Sequence, residues 1–316
     1  MPQISRRHFL HTAGLTAAAA HFAPTSLFAQ TPASPDPLAQ MRAAGLTAKI
    51  TTQHLRGNVS VLLGSGGNIA VLPGPQGKLL VDSGFATSRP QITQALAAIS
   101  ADPIQHLIDT HWHFDHTDGN EWMHSAGATI IAHERTRLRL STPQEIAAFG
   151  IHFPPAPDAA LPTVTFSADY TLKTNGNTLI LSHYDPAHTD TDISVHFADA
   201  DILHCGDTFF NGAYPFIDYS SGGHIDGMIR ATNRNLAAGT SSTILIPGHG
   251  PIGDKAQLAE YHDMLTTVRE SVATLKKQGR SVDETVAAKP TAPYDAKFGK
   301  ALIPPATFVG LVYQGV

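Results

Sequence analysis

The chain has 316 residues, 42% hydrophobic and 15% charged, enough for one sizeable buried core. A formal net charge of −5 and a pI near 6.4 leave no basic footprint and argue against a nucleic-acid partner. One cysteine, Cys205, rules out an internal disulfide framework.

The N-terminal Ser5-Arg6-Arg7-His8-Phe9-Leu10 is a twin-arginine sequence followed by an alanine-rich apolar stretch from Leu10 to Ala23. It resembles a bacterial Tat export signal, which implies a periplasmic protein. His and Thr interrupt the stretch, which is too short to span a bilayer, so no stable membrane insertion is expected after signal cleavage. Residues 1–29 are assigned to the signal, with cleavage after Ala29, residues 30–45 to a linker and residues 46–316 to a single domain.

Val59 to Leu63 and Asn68 to Leu72 are apolar runs joined by Gly64-Ser65-Gly66-Gly67, a hairpin signal, and Lys78 to Val81 is a third strand. Ser88-Arg89-Pro90-Gln91 predicts a capping box with proline inside the helix start, and Ile92, Leu96 and Ile99 then share one helical face. Pro103 to Asp109 reads as a buried strand. Directly after it comes Thr110-His111-Trp112-His113-Phe114-Asp115-His116. Three imidazoles and a carboxylate at that spacing form a zinc-type ligand set. His188 lies in a polar turn just before the strand-like Ile193 to Phe197, and further apolar runs end in Asp207 and His249 in glycine-flanked turns. Asp254 opens a long helix with Leu258, Tyr261, Leu265, Val268, Val272 and Leu275 along one stripe, Gly279 ends it, and Ser281 begins another.

These residues resemble the metallo-β-lactamase superfamily from about Asn58 to about Gly253. The resemblance implies an α/β fold, a four-layer αββα sandwich, with a dinuclear metal site. By the same resemblance, His111, His113 and His188 hold one metal, Asp115, His116 and His249 the other, and Asp207 bridges them. The implied cofactors are two Zn2+, with Fe or Mn as alternatives. Asp82, in Lys78 to Gly84, resembles the family's second-strand signature and is expected to orient a ligating imidazole. Cys205 is read mainly as a small buried residue, with ligation as a minor alternative because a strand would point it the same way as Asp207. His133, His196 and His204 are expected in core or supporting roles.

The chemistry expected of such a site is attack by a metal-bound hydroxide on an amide or ester carbonyl. The substrate is then a small molecule with a carbonyl centre, a β-lactam or lactone ring being the best match, and Asp115 is assigned a catalytic role. A thioesterase, a mononuclear-iron persulfide dioxygenase and a non-catalytic periplasmic metal-binding protein stay open as alternatives. Three loops are expected around the pocket. The Gly64 to Gly67 hairpin occupies the place of the family's flap but is short and would leave the site open. Ser141 to Pro162 is expected to be a proline-stiffened wall. The aromatic run Phe209 to Tyr219 offers Tyr214 and Phe216 as substrate contacts, with His224 just beyond it.

Overall fold

A computed structural model gives the fold of residues 36–316, to which every structural statement below refers. The expected signal and the start of the linker lie outside these residues. Residues 37–45, read as linker, are helical: α1 spans Pro37–Leu46. The Asp36 side chain accepts from Leu38 N, and Pro37 opens the first turn, where its missing N–H costs nothing.

Strands β1 (Thr51–His54), β2 (Ser60–Leu63), β3 (Ile69–Leu72), β4 (Lys78–Val81), β5 (Ile104–Ile108) and β6 (Thr129–His133) lie in that order in one sheet. β7 (Gln144–Ile146) and β8 (Ile151–Phe153) form a separate hairpin, and β9 (Val164–Phe166) closes the first sheet beside β6. The Ser141 to Pro162 segment is therefore partly a folded hairpin. The second sheet runs β10 (Tyr170–Thr174), β11 (Asn177–His183), β12 (Ile193–Phe197), β13 (Ile202–Phe210) and β14 (Ile244–His249). Pairing is antiparallel from β1 to β4 and from β10 to β13, and parallel at β4–β5–β6–β9 and at β13–β14.

Strand alternation sorts the core into layers. On β3, Ile69 and Val71 pack outward with Ile92 and Leu96 of α2 (Arg89–Ile99). Ala70 and Leu72 face inward, towards Leu179, Leu181 and Val195 of the second sheet. Short helices α3 (Phe114–Thr117), α4 (Asn120–Ser125) and α5 (Glu134–Leu140) follow the β5 and β6 ends, and Met123 of α4 joins the outer layer. Beyond the second sheet, α6 (Ile225–Ala237) and α7 (Lys255–Lys277) pack with Leu203 and Leu245, joined by α8 (Val282–Ala287), α9 (Asp295–Phe298) and α10 (Pro305–Gln314). The order helix, sheet, sheet, helix is the expected four-layer sandwich. Among the described residues no helix is long and apolar enough to cross a membrane.

Local signals held where the cap is local. Asp254 with Gln257 and Ser281 with Glu284 form reciprocal capping boxes. The box expected at Ser88 does not form. Ser88 Oγ instead donates to Gly45 O and Gln91 Nε2 to Leu46 O, each at 2.7 Å, so both side chains fasten α1.

Candidate metal centre

β5 ends at Ile108, and the chain turns through Asp109 and Thr110 into the histidine segment. Short α3 then presents Asp115 and His116. His188 comes from the loop between β11 and β12, where Asp192 accepts from His188 N at 2.7 Å and Thr189 N at 2.9 Å. Asp207 lies within β13 and His249 ends β14.

These seven residues converge. Asp207 is at the centre: its Oδ1 is 3.2 Å from His116 Nε2, and its Oδ2 is 3.4 Å from both His188 Nε2 and His249 Nε2 and 4.0 Å from His111 Nε2. His188 Nε2 lies 2.8 Å from His113 Nδ1, and His249 Nε2 lies 3.2 Å from Asp115 Oδ2. Three overlapping groups thereby have metal-holding geometry: His111, His113 and His188; His111, His116 and Asp207; and Asp115, His116 and His249. His111, His113, His116, His188 and Asp207 are buried, while Asp115 and His249 are half-buried and mark the open side.

Four of the rings are fixed from behind. His116 Nδ1 donates to Asp82 Oδ2 at 2.7 Å. Thr110 donates to the same carboxylate through N at 2.8 Å and Oγ1 at 2.9 Å, which leaves Oγ1 to accept from His111 Nδ1 at 3.0 Å. Asp82 does this from a left-handed backbone, φ 67°, uncommon outside glycine. His188 Nδ1 donates to Phe216 O at 2.8 Å, and His113 Nε2 to Asp218 Oδ2 at 3.0 Å. Each such bond fixes the tautomer and turns the other nitrogen's lone pair inward. The sequence reading anticipated Asp82 and missed Asp218, which closes the aromatic run and also accepts from Ser220 and Ser221.

The cluster fits a cation. Inward-facing His111 Nε2 is buried without a hydrogen-bond partner, and such orphans are rare unless something polar meets them. Burial, then repulsion from His116, holds the His111 ring well below its usual pKa. Burial also lowers His113 and His188. At the open side burial is overcome: Asp207 and Asp115 raise His249 to about 9, while His116 and His249 hold Asp115 at about 2. Close approach requires glycine at two points. A Cβ at Gly67 would sit 2.1 Å from the His116 ring, and one at Gly248 1.9 Å from Asp207 Oδ1.

The sequence pattern described as the Metallo-beta-lactamase superfamily matches residues 62–263. The chain belongs to the metallo-beta-lactamase superfamily. Among solved structures, a metallo-beta-lactamase from Pontibacter korlensis is 19% identical at TM-score 0.56, over 69% of this chain and 99% of that one. The DIM-1 metallo-beta-lactamase gives the same identity and TM-score over 69% and 98%. The sec-alkylsulfatase Pisa1 from Pseudomonas sp. is 16% identical at TM-score 0.62, over 84% of this chain but 50% of its own length. At these identities the likeness is one of fold.

Around this candidate metal centre the remaining sequence candidates take different places. Cys205 is the small buried residue mainly expected: it packs beside Leu203, and burial raises its thiol pKa. A register shift at Gly206, φ 51°, breaks the alternation that would have aimed Cys205 and Asp207 alike. His224 is not at the site; it is the N-cap of α6, its ring accepting from Asp226 N. His204 lies buried under the His249 turn, its Nε2 donating to Asn68 O, while Asn68 Nδ2 donates to Pro247 O and Gly250 O. His133 stacks on His183 at 3.8 Å, and burial, then His183, lowers it to about 4.

A cavity of about 220 Å³ opens on Asp115, Asp207 and His249. Tyr214 and Phe216 both line it, yet the Tyr214 hydroxyl is turned away to Asp295 Oδ1 at 2.8 Å. The Gly64 to Gly67 hairpin does not line it. It backs the ligand segment instead, with Gly67 N donating to Asp115 O. Cover comes from Met41 of α1, from Ile146 and Phe149 of the β7–β8 hairpin, and from Leu302 before α10. Neither Met41 nor Leu302 was anticipated, and both lie outside the family-matched residues.

Proposed function

We propose that the chain is a metal-dependent hydrolase acting on an amide or ester carbonyl, with a β-lactam or lactone ring as its substrate class. His111, His113 and His188 would hold one divalent cation and Asp115, His116 and His249 a second, with Asp207 shared; zinc suits this nitrogen and oxygen set. Bound cations supply an activated water and polarise a carbonyl oxygen. The chain's residues do the rest. Asp82, Thr110, Asp218 and Phe216 O aim the imidazoles. Asp115, on the open side, would orient the attacking water. The apolar walls hold the substrate and limit bulk water.

The observation that carries this reading is that two separate ligand groups, not one, converge beside an apolar cavity. It favours a two-metal hydrolase over the mononuclear dioxygenase. The test combines elemental analysis with turnover of lactone, ester and cephalosporin substrates, for the wild type and His113→Ala. Two zinc per chain and loss of turnover in the variant are expected; full activity and full metal content in His113→Ala would remove the assignment. Export by residues 1–29 belongs to the same proposal, and fractionation of an Arg6→Lys, Arg7→Lys double variant tests it: retention in the cytoplasm is expected.

A further inference from the structure

The walls beyond the ligand cluster have a definite chemistry. Met41, Ile146, Phe149, Phe216, Leu302 and Ile303 present carbon to the cavity, and among the described residues no lysine or arginine lines it. Tyr214 contributes only its ring, since its hydroxyl is committed to Asp295 and Thr291 O. Phe210 stacks on His249 with ring centroids 5.3 Å apart, and Phe149 lies 4.8 Å from Phe216, so aromatic faces continue from the cluster into the wall. A carboxylate placed against these walls would lose its hydration with no partner to replace it, which is among the costliest burials. An apolar group gains there in proportion to the area it buries. At about 220 Å³ the cavity is also smaller than the roughly 300–1,000 Å³ that encloses a drug-sized ligand.

The outer limit of this space is set by two segments outside the matched residues 62–263. Leu38, Met41, Arg42 and Gly45 recur at helical spacing and form the inward face of α1. That helix is held through backbone oxygens: Thr87 Oγ1 donates to Arg42 O, Ser88 Oγ to Gly45 O and Gln91 Nε2 to Leu46 O. Met41 is thereby fixed over the opening. On the opposite rim Leu302 is 66% exposed and lines the cavity.

We propose that the cavity takes the small, uncharged, apolar acyl group of an ester or lactone, and that Met41 and Leu302 determine how large that group can be. This rests on the hydrolase reading above and narrows it away from substrates that must place a carboxylate against these walls.

The test uses the metal-loaded protein and p-nitrophenyl esters from acetate through butyrate and hexanoate to octanoate, with p-nitrophenyl valerate paired against the p-nitrophenyl half-ester of glutaric acid. kcat/KM is expected to rise from acetate to a medium-length ester and fall again by octanoate. The valerate should exceed the anionic half-ester by about 100-fold. Met41→Ala should raise the octanoate-to-acetate ratio by about 10-fold, the scale of one added methylene in an apolar pocket. Leu302→Ala, at an exposed position that folding tolerates, should move it the same way. Equal rates on the valerate and the half-ester, or a length profile that neither variant moves, would overturn this inference while leaving the hydrolase reading intact. A fully metallated protein that turns over no ester or lactone would overturn the reading itself.

Discussion

The floor and the wall of the site are built differently. On the floor, four imidazoles are each tied to an acceptor: His113 to Asp218, His116 to Asp82, His111 to Thr110 Oγ1 and His188 to Phe216 O. Both glycines that admit the ligands, Gly67 and Gly248, belong to this floor, and all of it falls within residues 62–263. The wall over the opening rests on apolar contact, and part of it, Met41 and Leu302, lies outside that span. Hydrogen bonds fix angles, which ligation requires, whereas apolar contact fixes volume and little else. On the proposed reading, reaction chemistry and substrate choice would be held by separable parts of the molecule, as expected where function is grafted onto a shared fold.

Substitutions can break this contrast at either end. The largest effect belongs to the floor. His113→Ala or Asp207→Ala should cost several kcal/mol of transition-state stabilisation, at least about 1,000-fold in kcat/KM, with metal content falling in parallel by elemental analysis. Next come the supporting carboxylates. Asp218→Asn and Asp82→Asn should each weaken metal binding by about 10–100-fold in chelator competition, while the ester length profile keeps its shape. A changed profile with unchanged affinity would mean that these residues act on the wall.

A pH effect away from the floor is expected from the His133–His183 stack. The folded His133 pKa, about 4, lies below its unfolded value, so the unfolded chain binds more protons between them. The stabilisation is present above about pH 6.5 and is lost as pH falls towards 4, on the order of 2 kcal/mol. Urea midpoints of wild type and His133→Phe at pH 7 and pH 5 check this: the wild type should lose more on acidification. The smallest effect is expected at Arg42→Ala. It removes an ion pair to Asp118 whose arginine is 43% exposed, worth about 0–1 kcal/mol, and should barely shift Tm.

Much of the floor was legible because ligand chemistry is written locally. His111, His113, Asp115 and His116 fall within one turn segment, Asp207 and His249 each close an apolar run, and His188 sits in the polar turn before another. What escaped was set by distant partners. Asp218 meets His113 across 105 residues, with no spacing to announce it. Ser88 has the local pattern of a cap, but its hydroxyl found Gly45 O instead. Cys205 and Asp207 were parted by a register shift that alternation cannot show. Met41 sits just after the proline-rich segment and inside residues 30–45, read as linker, although Asp36 and Pro37 are a usable helix start. His224 looked like a site residue from its glycine-rich turn, and the start of α6 claimed its ring.

The most direct test of the account is kcat/KM of the zinc-loaded protein on a neutral, apolar lactone measured beside a chromogenic cephalosporin, whose carboxylate the cavity walls cannot pair. The account predicts about 10⁴ M⁻¹s⁻¹ or more for the lactone and a cephalosporin value orders of magnitude lower. A cephalosporin value equal to or above that of the lactone would contradict it.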